Sequence, residues 1–489
     1  MSADVTVEDT RPIDPGVRAT TRLWFITILA VFVVMIIFGI TMRLQQSETV
    51  DVGMPMFYAL MTMHGLGMAG TMFSAGLVII WFITARYAMP SVPLMRFAWV
   101  LYLAGAVGLL AATLIGRFGP GWYALYPLPF HNPAWPQWSI GVAIISLMLL
   151  GVCWLVCQLD MLRALAKRYG VSNLVGWQYF RKEKLEKDLP APVLIAVICS
   201  VAGTLATLVG AATFVTYLFK WLAPETNFDA LLLKNSMFMF GHVIVNLAMY
   251  CGIAAVYAYL PTYTKRAWGL NKLTVVAWNA TMFFILGAYF HHLYADFAQP
   301  DGLQYAGQII SYLSAIPATA VTVFGVGSQV FGSGVRWNFT PLAFFLGIVG
   351  WVIGGIAAVV DSTIAVNQIF HNTLWVPGHF HTYFVVGFVL LMLGFVHRFV
   401  ESKAERLAKG SLFAMIFGGY GFVLMFYLGG MSGVPRRYVS YKALTFGSIA
   451  ETGAQLALVG AVFATVFLVG VIAFCVSLLK GRRAEPALE

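Results

Sequence analysis

Three of the chain's nine histidines fall within eleven residues, in the stretch His371-Asn-Thr-Leu-Trp-Val-Pro-Gly-His379-Phe-His381. His379 and His381 open a long apolar run, 382–395. Positions two apart on a helix point about 200° from each other. The pair therefore presents imidazoles to opposite faces, and each needs its own acceptor. His291 and His292 are adjacent, about 100° apart on a helix, so both can turn towards one partner. Neutral imidazole is a common ligand of iron, copper and zinc. With His242 the adjacent pair makes a three-nitrogen set with an open coordination position. Two flat macrocycles flanking one helix suit the divergent pair, and His64 supplies the second axial ligand of one haem. The glycines of Gly65-Leu-Gly-Met-Ala-Gly70 are small enough to let a macrocycle approach the backbone.

The elements that must position these residues are membrane helices. The 489 residues are 60% hydrophobic and 10% charged, the composition of a polytopic membrane protein. Largely apolar runs occur at 23–42, 57–84, 97–116, 140–158, 192–221 and 236–260. Others occur at 273–294, 305–331, 341–360, 373–397, 412–430 and 452–479. Backbone in lipid must satisfy its own hydrogen bonds, so the expected fold is all-α with twelve transmembrane helices. Residues 23–480 form one membrane domain between cytoplasmic tails at 1–22 and 481–489, and the first span is retained, not cleaved as a signal.

Charge orients the bundle. With both termini inside, only Arg43, Arg117, Lys220, Lys234, Arg436, Arg437 and Lys442 fall on the outer side. The remaining 23 of the 30 Lys and Arg lie inside, as the positive-inside bias requires. Topology in the plasma (inner) membrane thus accounts for the net charge of +10, and no nucleic-acid partner is expected. On this topology His64, His242, His291, His292, His379 and His381 share one layer near the outer face. His131 and His371 fall in outer loops, and His397 at an inner helix end. Cys153, Cys157, Cys199, Cys251 and Cys475 lie inside apolar runs and read as packing residues. Neither a disulfide framework, a binuclear-copper site nor a CxxCH haem attachment is indicated.

The pattern resembles the haem–copper oxidase superfamily, catalytic subunit I, over nearly the whole chain. The resemblance rests on the His-His pair, the outer loop Gly121-Trp-Tyr-Ala-Leu-Tyr-Pro-Leu128, Ile316-Pro317 and HNTLWVPGHFH, and is closest to the B-type oxygen reductases. It implies a low-spin haem on His64 and His381, a high-spin haem on His379, and a second metal on His242, His291 and His292. Both haems are expected to be b-type, and the all-nitrogen set favours copper over iron. Arg436 and Arg437, with His371, are expected beside the haem propionates. Tyr257, Thr319 and Thr322 are expected to line a proton path.

The sequence departs from the oxidases at one telling place. B-type oxygen reductases carry His-Pro-x-x-Tyr in the sixth helix, whose tyrosine supplies an electron and a proton for O–O cleavage. Here the segment reads His242-Val-Ile-Val-Asn246, and no replacement tyrosine is evident near Phe283, Phe284 and Ile285; Tyr289 falls on the opposite face. Asn246 can hydrogen-bond but cannot form a stable radical. Ile253 replaces another family tyrosine, and Asn367 replaces an aspartate linked to pumping. Nitric oxide reductases of the superfamily need no such tyrosine, because joining two NO molecules takes two electrons and two protons and breaks no O–O bond. The chain is therefore expected to reduce nitric oxide to nitrous oxide, with Asn246 in the catalytic site. Oxygen reduction at an atypical site is the alternative, and a haem-free transporter would be betrayed by lack of haem. Electrons are expected from a second subunit carrying binuclear copper or haem c, or from quinol.

Overall fold

The computed structural model describes residues 12–130, 132–181, 188–294, 300–442 and 447–480. His131, Lys182, Lys184 and Lys187, with the 481–489 tail and the first eleven residues, lie outside the described residues. Regular structure among the described residues is helical: α1 (Pro15–Gln46), α2 (Met54–Tyr87), α3 (Val92–Leu110), α4 (Gln137–Tyr169), α5 (Ala191–Leu222) and α6 (Ala230–Thr264). Then come α7 (Lys272–Phe284), α8 (Asp301–Val330), α9 (Phe339–Ser362), α10 (Trp375–Val400), α11 (Glu405–Met431) and α12 (Gly447–Lys480). Capping starts several of them. Asp14 Oδ1 accepts from the Gly16 and Val17 amides, with Pro15 in the first turn. Asp229 and Asn271 likewise cap α6 and α7, meeting amides the helix leaves unpaired. α1 starts at Pro15, inside the expected tail.

Among the described residues, eleven helices are long and apolar enough to cross a membrane; the seventh of the expected twelve is interrupted. α7 is only 13 residues long, and a 3₁₀ turn, Ala288–Leu293, completes it. Helical repetition stops at Gly287, and the tighter turn carries His291 and His292. α10 is also irregular, with a π-turn at Phe384–Phe388 just after its two histidines. There α9 comes close: a Cβ on Gly350 would lie 1.9 Å from the Val386 carbonyl oxygen. Only glycine permits that approach.

Two of the seven charges assigned to the outer side are buried in the bundle. Arg43, 4% exposed, stacks on Phe426 at 4.8 Å and donates to Gln46 Oε1 at 2.6 Å. The Lys220 ammonium donates to the Pro224 carbonyl and, at 2.8 Å, to that of Thr226. Both are structural cations, and a count of charges along the chain cannot separate them from surface anchors. The cysteines are free, and all but Cys475 are buried.

Candidate metal and haem centre

Two groups of histidines assemble at one level of the bundle. In the first, His242 of α6 meets His291 and His292 of the 3₁₀ turn, with their candidate ligand atoms within 4.8 Å of one another. Ring centres lie 4.9 Å (His242–His291), 5.2 Å (His242–His292) and 4.1 Å (His291–His292) apart. In the second, His64 of α2 faces His381 of α10, with ring centres 6.3 Å apart and planes 19° from parallel. A metal midway, held by bonds of about 2.0–2.1 Å to each imidazole, would account for that separation once the two ring radii are added. His379 emerges from the opposite side of α10.

The hydrogen bonds settle which nitrogen each ring offers. His64 Nδ1 contacts the Met35 carbonyl at 2.7 Å, His379 Nδ1 that of Gly354 at 3.1 Å, and His381 Nδ1 that of Pro377 at 2.6 Å. A carbonyl only accepts, so each Nδ1 carries the proton and each Nε2 keeps its lone pair. His291 Nδ1 meets Ser311 Oγ at 3.1 Å. That hydroxyl already donates towards the Ala288 and Gly307 carbonyls, so it too accepts from the ring. Ligating histidines are commonly oriented by such partners.

The surroundings fit haem and metal. A Cβ on Gly39 of α1 would sit 2.9 Å from His64 Cε1, so this glycine clears the His64 ring. Two of the glycines that follow His64 meet protein side chains closely: Gly65 accommodates Trp122 and Gly67 accommodates Met35. Trp122, from the outer loop, also reaches Gly241 beside His242. It wedges between the two histidine-bearing helices α2 and α6. Arg43 Nε and Nη2 are buried without a partner, near the Phe426 ring on which His381 stacks at 5.0 Å.

Arg436 and Arg437 follow α11 on a segment paired with the start of the HNTL stretch. Leu374 donates to the Val434 carbonyl at 2.9 Å, and Arg436 donates to that of Asn372 at 2.9 Å. Arg437 lies over Tyr123 of the outer loop at 4.2 Å. Burial, then the neighbouring Arg437 charge, pulls the Arg436 pKa down to about 9. A half-buried guanidinium with an orphaned, buried Nε suits an added carboxylate. His371 ends the short helix Ile364–Phe370 that precedes this segment.

Asn246 lies against the His242 ring, its Nδ2 3.3 Å from both ring nitrogens and 2.9 Å from the His242 carbonyl. Among the described residues, the side chains that hydrogen-bond the three clustered rings are Asn246 and Ser311. Tyr289 points elsewhere, donating to Asn235 Oδ1 at 3.3 Å. Polar rungs link α6 to α8, at seven-residue steps along α6: Thr264 to Gln329 at 2.6 Å, Tyr257 to Thr322 at 3.1 Å, and Tyr250 to the Ser314 carbonyl at 3.3 Å. Ser314 donates to the carbonyl of Ser311, the His291 partner, at 2.8 Å. Thr319 is not a rung, because its hydroxyl bonds the Ala315 carbonyl of its own helix. Tyr250 and Ser311 carry no family signal in the sequence. The seven-residue spacing of 250, 257 and 264 is the trace that could have found the first.

Asn367 does more than stand where an aspartate is expected. Its amide donates to the His291 carbonyl at 3.1 Å and the Asp361 carbonyl at 2.7 Å. An ionised carboxylate donates nothing. Asn367→Asp is therefore expected to loosen the 3₁₀ turn and lower second-metal occupancy, by about 10- to 100-fold in affinity. Metal titration of the purified variant measures this, and unchanged affinity would show that the clamp is dispensable.

Comparison with known proteins gives a consistent answer. Residues 19–484 match the family described as cytochrome c and quinol oxidase polypeptide I. The quinol oxidase subunit 1 of Sulfolobus acidocaldarius is 24% identical over 445 residues, 86% of this chain and 83% of that protein. The cytochrome c oxidase subunit 1 of Thermus thermophilus is 23% identical over 410 residues, 78% of this chain and 69% of that protein. A solved heme-copper terminal oxidase dimer superposes with a TM-score of 0.78 at 18% identity, covering 98% of this chain and 86% of that one. That likeness concerns the fold.

Proposed function

Because the chain belongs to the family of cytochrome c and quinol oxidase polypeptide I, a haem–copper oxidase subunit I, we propose that it is the catalytic subunit of a membrane oxidoreductase that reduces nitric oxide. The balanced reaction joins two NO with two electrons and two protons into N₂O and water. His64 and His381 would hold a low-spin haem, His379 a high-spin haem, and His242, His291 and His292 a second metal, for which all-nitrogen ligation favours copper. These groups, when bound, supply the electrons and the open coordination positions for a diatomic gas.

The chain's own residues do the rest. Met35, Gly354, Pro377 and Ser311 hold the imidazoles with Nε2 available. Arg436 and Arg437 supply half-buried positive charge for the haem propionates, with His371 beside them. Protons travel from the inner side along Tyr257, Thr322 and Tyr250 towards Ser311. Quinol is one source of electrons, as the name of the Sulfolobus relative suggests; a partner subunit carrying binuclear copper or haem c is the other.

The observation that carries the nitric oxide reading is Asn246 against His242. This amide can donate to a bound oxygen atom, and it leaves no buried charge. It cannot give up an electron and a proton together, as the oxidase tyrosine does. Oxygen reduction is the second reading, favoured by the names of the relatives. Turnover of the purified complex with each gas decides: NO reduction is expected to exceed oxygen reduction greatly. Asn246→Leu keeps the size, loses the hydrogen bond and is expected to slow NO turnover roughly 5- to 150-fold with haem content unchanged. Fast oxygen reduction with negligible NO activity would restore the oxidase.

A further inference from the structure

Far from the histidines, a cavity of about 730 Å³ opens between α1, α10 and α12, within the range of sites that hold small molecules. Its α1 wall is a single stripe: Arg18, Arg22, Phe25, Ile26, Leu29, Ala30 and Val33. Val396 and Phe399 of α10 and Leu478 of α12 face it. All three helices contribute their ends on the side that carries most of the positive loops. We propose that this groove binds one anionic phospholipid, its phosphodiester on Arg18 and Arg22 and an acyl chain along the stripe.

Three observations support that occupant. The first is charge. Both arginines are exposed and, among the described residues, neither forms an ion pair. Glu401 also lines the groove, but it faces Arg398 at 3.9 Å. One turn apart, the two guanidiniums can grip one phosphate from the same helix face. The second is length. From Arg22 to Val33 the helix rises about 16 Å, close to half of the roughly 30 Å hydrocarbon core, which is one leaflet. The third is the change of character along the stripe: guanidiniums at the membrane surface, then apolar side chains alone. A docked helix would use the apolar wall and leave the arginines without an anion.

The test uses the full-length protein, delipidated in detergent and then exposed to phosphatidylglycerol or phosphatidylcholine. Native mass spectrometry counts retained lipid. One phosphatidylglycerol is expected to stay on the unmodified protein, and phosphatidylcholine to wash away. Arg18→Gln/Arg22→Gln should weaken retention at least about tenfold. Leu29→Trp, which fills the groove and keeps both arginines, should do the same. Equal retention of the two lipids, retention unaffected by either variant, or phosphatidylglycerol retention that rises when residues 481–489 are removed, as it would if the tail fills the groove, would overturn the assignment. Haem content checks that each variant is folded.

Discussion

His291→Ala is expected to empty the second metal site and abolish turnover with either gas, while both haems stay bound. The three clustered histidines are the whole donor set of that site among the described residues. Losing one leaves two nitrogens, and among the described residues no carboxylate joins the cluster to replace it. Loss of an outer partner of a metal ligand typically costs about 10- to 100-fold in affinity or activity, and loss of the ligand itself exceeds that. Ser311→Ala provides the graded comparison, because it removes only the hydroxyl that orients His291. Metal analysis alongside the haem spectrum measures both variants. Metal content unchanged in His291→Ala would place the site elsewhere.

His64→Ala is expected to remove the low-spin haem signal and leave the high-spin haem in place. The two proposed haem sites share no ligand: His64 and His381 face each other across one side of α10, and His379 is anchored separately to Gly354. Without its second axial ligand the low-spin haem cannot keep its spin state, and electron delivery stops with it. His64→Met should be milder, since methionine with histidine is an established axial pair that raises the reduction potential. The optical spectrum distinguishes these outcomes. A full low-spin signal in His64→Ala would show the pairing to be wrong.

The helix count and the convergence of the six histidines were legible in the sequence because both depend on spacing and depth. A run of about twenty apolar residues has one stable solution in lipid. Histidines at matching distances from matching helix ends then fall into one layer. What orients them was not legible. Met35, Gly354 and Pro377 act through backbone carbonyls, which every residue possesses. Nor does composition show which side chains lie against Gly65 and Gly67, which meet Trp122 and Met35. The break in the seventh span was hidden as well, since its apolar pattern continues past Phe284 while the backbone changes pitch. The burial of Arg43 and Lys220 was not legible either, because it depends on contacts such as the Phe426 ring against Arg43 that a charge count does not show.

The 3₁₀ turn after α7 sets the order in which this protein can be completed. Its six residues rise about 12 Å, where an α-helix would rise about 9 Å, and its hydrogen bonds have poorer geometry. Such backbone is expected among the more easily opened parts of a structure, and here it is restrained from outside by Ser311 and Asn367. For such a segment the free energy of binding an ion is also free energy of folding. If the proposed metal binds there, the bundle would insert and pack with this corner still loose enough to admit it, and loading would then close it. Maturation, on this account, ends where catalysis begins.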